Sequence, residues 1–154
     1  MRTLGIVGVL LLLVPAVFAG QQEPASSAHP KPKLTLAGGT ALLTVAVRPE
    51  KSADFEQVMS RMKAALLTSD DPKRREQAAG WKVMKLEKPL PDGNLAYIHV
   101  IQPVVPDADY AVMQTLYDAF PDERQALYEL YRGAFVQNLS LATGHIVLDM
   151  SKEP

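Results

Sequence analysis

Leu42-Leu43-Thr44-Val45-Ala46-Val47, then Arg48-Pro49-Glu50-Lys51, then Ser52-Ala53-Asp54-Phe55-Glu56 is the stretch on which the fold turns. Its first six residues are β-branched or aliphatic and read as a strand, which Pro49-Glu50-Lys51 ends in a turn. Ser52 is placed to cap a helix, and Asp54 falls in the first turn, where the helix dipole favours an anion. Phe55, Val58, Met59, Met62, Ala65 and Leu66 then recur at the helical period, so the spacing predicts an amphipathic helix over residues 52–68.

Outward from there, Asp71 before Pro72 is an N-cap and N1 pairing, which predicts a further short helix from Pro72 to Ala79, stopped by Gly80. Trp81 to Glu87 reads as a second strand and Leu95 to Val104 as a third, joined by the turn residues Pro91-Asp92-Gly93-Asn94, with Pro103 at the frayed end. Asp107 and Asp109 open a second helical region with the stripe Tyr110, Met113, Leu116, Tyr117 and Phe120; Pro121 interrupts it, and Leu127, Leu130, Tyr131, Ala134 and Phe135 carry it on to about Val136. Residues 138–143 are predicted as a loop, and Gly144 to Met150 as the last strand.

Strand, helix, strand, strand, helix, strand is the split βαβ, or ferredoxin-like, order. Right-handed crossovers place the strands 4-1-3-2 in one antiparallel sheet, with both helical layers on one face. The expected fold class for residues 40–151 is therefore α+β, ferredoxin-like βαββαβ. The other sheet face is left bare, and a second copy of the same sheet is its simplest cover, so a homodimer is expected.

At 154 residues, with 47% hydrophobic and 21% charged side chains, the chain holds enough for one domain with an ordinary core. Its beginning is set apart from that core. Arg2 precedes an apolar run from Leu4 to Phe18, and Val17-Phe18-Ala19 offers the small-x-small pattern of signal peptidase, so residues 1–19 read as a cleaved signal peptide. The run carries Pro15 and is shorter than the roughly 20 apolar residues of a membrane span, which favours cleavage over retention as an anchor. An exported protein, periplasmic or secreted and off the membrane after cleavage, is the expectation. Residues 20–39, rich in Pro, Ser, Ala, Gly and Gln, read as a flexible linker in which the lone His29 has no second ligand.

Removing Arg2 from the 16 basic residues leaves 15 against 17 acidic ones, a formal charge of −2 with no footprint for nucleic acid. The absence of cysteine removes disulfides, thiol nucleophiles and thiolate metal sites together. No Gly-rich phosphate loop, H-E-x-x-H or G-x-S-x-G occurs, and no His pair stands at metal spacing, so neither a metal nor a cofactor is expected.

Thr44-Val45-Ala46-Val47-Arg48-Pro49-Glu50-Lys51 followed by Asp54-Phe55-Glu56 resembles the opening of the dimeric α+β barrel proteins, which include the antibiotic-biosynthesis monooxygenase-like group. The shared features are a strand, a Pro-x-Lys turn and a helix entering on Phe-Glu, and the likeness in element order covers about residues 41–150. It implies two ferredoxin-like subunits packed sheet against sheet into a barrel, and no single activity. Haem-degrading members of the group hold iron through a His on the second helix; residues 108–137 contain none, so that chemistry is not implied here. No residue of this chain matches the monooxygenase branch's polar residues.

Strand alternation assigns the faces. Leu43, Val45 and Val47 of the first strand are predicted under the helices, with Thr44, Ala46 and Arg48 opposite. In the third strand Ala96, Ile98 and Val100 are predicted under the helices, with Tyr97, His99 and Ile101 on the bare side. In the last, Ile146, Leu148 and Met150 are assigned to the helices, and His145, Val147 and Asp149 to the bare side. Thr44, Arg48, Tyr97, His99 and Asp149 are then expected to share one cavity.

One reading of that cavity is a site for a small hydrophobic molecule, with an acid/base His99, a Tyr97 hydroxyl and an anion-holding Arg48. The other is that these groups satisfy one another across a subunit interface, and Tyr and Arg are common there. Trp81 divides in the same way between stacking platform and packed aromatic. The preferred function is a noncatalytic homodimeric binding or structural protein. Its alternative is a cofactor-independent monooxygenase- or isomerase-like enzyme, which needs His99 and Tyr97 within one hydrogen bond of a common point.

Overall fold

A computed structural model describes residues 34–151, so the predicted signal peptide and most of the linker lie outside the described residues. β1 (Thr40–Val47) leads through a 3₁₀ turn at Pro49–Lys51 into α1 (Ser52–Leu67). The turn takes over the capping expected of Ser52: the N-cap position falls on Lys51, with no side-chain cap bond, and Ser52 is the first residue of the helix. α2 (Pro72–Gly80) starts as its sequence predicts, with the Asp71 carboxylate accepting from the Lys73 amide at 2.9 Å. β2 (Trp81–Lys85) and β3 (Leu95–Ile101) form the hairpin. The second helical region divides at Pro121 into α3 (Val112–Ala119) and α4 (Arg124–Ala134), with a 3₁₀ turn between them.

β4 (Phe135–Gly144) corrects the expected last strand. The segment predicted as a loop, residues 138–143, is the strand itself, and most of the segment predicted as strand follows it as irregular chain. Asn138 and Ser140 read as loop punctuation, and Phe135 continues the apolar stripe of α4, which hid the real boundary. Two register shifts against β1, between Thr44 and Val45 and between Ala46 and Val47, also break the strand's alternation.

The four strands form one antiparallel sheet in the order β2-β3-β1-β4, which counted from the β4 edge reads 4-1-3-2. This α+β arrangement is compatible with the ferredoxin-like plan. Between helices and sheet the core runs as two connected groups. Val45, Val47, Phe55, Tyr97 and Ala134 form one; Val58, Met62, Leu66, Leu116 and Leu127 form the other. A third group, including Ala41, Ile101, Val105 and Tyr110, closes one end of the sheet. The described end of the predicted linker is tied down there: the Leu34 amide donates to Asp109 at 3.0 Å, the Leu34 carbonyl accepts from the Tyr110 amide at 2.8 Å, and Leu36 packs on the same group.

Face assignment holds for β1 and fails for β3. Register places Val45 opposite Tyr97, Leu43 opposite His99 and Ala41 opposite Ile101, and directly opposed residues share a face. Tyr97, His99 and Ile101 therefore lie under the helices, and Ala96, Ile98 and Val100 take the bare side. Both sets are predominantly apolar, so alternation alone did not separate them. Volume does: the bulky set fills the gap of about 10 Å that opens above a sheet.

Candidate functional site

The predicted cavity of Thr44, Arg48, Tyr97, His99 and Asp149 is not assembled. Tyr97 and His99 stand beneath the helices at 2% exposure each, and Thr44 is on the opposite face. Arg48 sits just past β1, where its Nη1 donates to the Gly133 carbonyl at 2.6 Å and its backbone amide to the Ala134 carbonyl at 2.9 Å. It thus closes the C-terminal end of α4, where unpaired carbonyls and the helix dipole favour a cation. Asp149 lies beyond β4, its carboxylate accepting from the Ser151 amide and hydroxyl at 3.0 and 2.7 Å.

What β2, β3 and α1 bring together is a row of aromatic and polar groups inside the fold. Trp81 Nε1 donates to His99 Nδ1 at 3.0 Å, which fixes the imidazole as the Nε2–H tautomer. Burial pushes the His99 pKa down to about 4, so the ring is neutral at pH 7. Tyr110 flanks Trp81 at 5.4 Å between ring centroids, while Phe55 lies 6.3 Å from His99 and 4.7 Å from Tyr97. Phe55 touches both rings expected to act together. The hydroxyl of Tyr97 turns outward and donates to the Glu56 carboxylate at 2.6 Å, and Lys85 Nζ donates to the same oxygen at 3.2 Å.

Those bonds set the titration of the trio. The Tyr97 hydroxyl, then Lys85, hold the Glu56 carboxyl below the usual carboxylate range. Burial first, and the Glu56 carboxylate second, raise the Tyr97 phenol. The trio is a tyrosine and a lysine satisfying one carboxylate, and the Trp81 indole N–H is satisfied by the Nδ1 lone pair of His99. Sequence reading missed Glu56 and Lys85. The signal was present in the inward Phe55, which turns its neighbour Glu56 toward the sheet edge, and in Lys85 standing opposite Tyr97.

Several surfaces remain, and two of them bear on pairing. Beside β2 lies a groove of about 550 Å³, lined on its apolar side by Met59, Met62, Leu66, Leu67, Trp81 and Val83. Lys63 and Lys82 stand at its margin, and neither is paired with a carboxylate among the described residues. The second surface is the bare sheet face. By register it carries Leu42, Met84, Ile98, Val100 and Ala142, with Thr44, Ser140 and Gln137 around them, and Lys82 is the one charged side chain there among the described strands. Leu42 and Met84 are 42% and 48% exposed, so the face is open in the single chain. Among the described residues no group of His, Asp and Glu could hold a metal ion, and no helix is long and apolar enough to cross a membrane. No protein-family model matches the chain, and no curated protein or solved structure matches it either.

Proposed function

We propose that this chain is a noncatalytic homodimeric module acting outside the cytoplasm, in which two copies cover each other's bare sheet faces. The observation that carries the reading is that face: Leu42, Met84, Ile98, Val100 and Ala142 surrounded by uncharged polar groups, with Lys82 the single charge among the described strands. Interfaces deplete charge at their centres, and two such sheets pack about 10 Å apart with side chains interleaved. Pairing of this kind is the arrangement implied by the resemblance of the Thr44–Glu56 stretch to the dimeric α+β barrel group. The N-terminal signal pattern supports the extracytoplasmic setting.

A noncatalytic role is preferred because the groups that a catalytic cavity would use for proton transfer and anion holding have other partners. The Nδ1 lone pair of His99 is taken by Trp81, the Tyr97 hydroxyl by Glu56 and the Arg48 guanidinium by α4 carbonyls. Ile98→Lys tests the reading, since it sets a charge in the centre of the paired faces and leaves the helix-side core untouched. Light scattering after gel filtration is expected to give a dimer for the wild type and a monomer with unchanged far-UV circular dichroism for the variant. A wild-type monomer at micromolar concentration overturns the reading.

A further inference from the structure

We infer that residues 146–150 of one copy add as a fifth strand to the outer edge of β2 in a second copy. The segment that follows β4 is an apolar chain without cover: Ile146 is 55%, Val147 97%, Leu148 72% and Met150 86% exposed. Its β-branched and aliphatic residues suit an extended strand, and a run of this kind left open in water is a pairing hazard unless it has a place to go. β2 offers that place. It is an edge strand whose only neighbour among the described residues is β3, so one row of its backbone amides and carbonyls is free to pair.

The groove beside β2 fits the side chains. Trp81 and Val83 face the helices and line the groove together with Met59, Met62, Leu66 and Leu67 of α1, and the open side of that groove is the space a fifth strand would enter. A strand there sends every second side chain into that space. Ile146, Leu148 and Met150 have that spacing. Val147 and Asp149 then lie on the bare-face side, next to Met84 and Lys82. β4 is the other edge of the sheet; its register against β1 shifts twice before Ser140, whereas β2 runs unbroken along its whole length.

Reach decides which copy supplies the strand. Gly144 ends β4 at one edge of the sheet, and a fifth strand beyond β2 lies four strand spacings away, about 19 Å. Residues 146–148 are two to four residues past Gly144 and extend at most about 14 Å. The segment therefore cannot lie along its own β2, and a second copy must receive it. This takes up the pairing of two copies proposed above and names a second contact within it.

The chain has no cysteine, which makes the test direct. Val83→Cys is prepared in one tagged copy, and Ile146→Cys, Leu148→Cys and Met150→Cys in three untagged ones; each is mixed with the first, exchanged and treated with a short bismaleimide. A covalent tagged–untagged dimer is expected, strongest for Leu148→Cys, and lost when Leu139→Cys on β4 replaces the tail variants. If the mixtures sediment as dimers yet no tail position links, the strand exchange is overturned and the sheet-face pairing stands. If they sediment as monomers, both fall. A Val83→Cys, Leu148→Cys double variant that links only within one chain also overturns the exchange.

Discussion

His99 is the residue where burial and charge meet most sharply. Its ring is 2% exposed, accepts from Trp81 and is held neutral, with its pKa pushed from 6.5 down to about 4. The unfolded chain binds a proton near 6.5 that the folded chain refuses until about 4, so this contribution to stability is full above pH 6.5 and falls as pH drops through that window. Between pH 7 and pH 5 the loss is about 2 kcal/mol. Urea unfolding of the wild type at the two pH values is expected to show it, and His99→Phe to lose most of that dependence; an equal slope in both proteins would refute the assignment. Arg48 acts at the same scale. Arg48→Ala removes the cation from the end of α4 and is expected to cost about 0.5–1 kcal/mol in thermal unfolding.

Elements depend on a few positions that no substitution leaves alone. Gly80 joins α2 to β2 where the Gln102–Pro103 backbone passes, and a Cβ there would come within 2.7 Å of the Pro103 carbonyl oxygen. Backbone cannot step aside as a flexible side chain can, so Gly80→Ala is expected to destabilise by about 1–3 kcal/mol, read as a lower urea midpoint with an unchanged slope. Asp71→Ala removes the cap of α2 and is expected to cost about 1 kcal/mol. These elements were legible because their signals are local: Asp71-Pro72 for a helix start, and the spacing of Phe55, Val58 and Met62 for a buried stripe. β4 was not, because its boundary rests on pairing with β1 across two bulges. Strand partners far along the chain leave no local mark at Phe135 or Ser140.

At the scale of the molecule, the element order was legible and the location of the candidate site was not. The site expectation depended on the parity of one strand, and a one-residue change of parity moves every side chain to the other face. Leu95, Tyr97, His99 and Ile101 against Ala96, Ile98 and Val100 present two nearly apolar sets, so only packing volume between sheet and helices could choose. With Tyr97 and His99 inside, the open face becomes more uniformly apolar, and that strengthens the case for a second copy there. The covering of that face is the central claim, and sedimentation velocity on the chain from Gly20 onward, at micromolar concentration and neutral pH, tests it most directly. A single boundary at twice the chain's mass is predicted, and a single boundary at the monomer mass would contradict it.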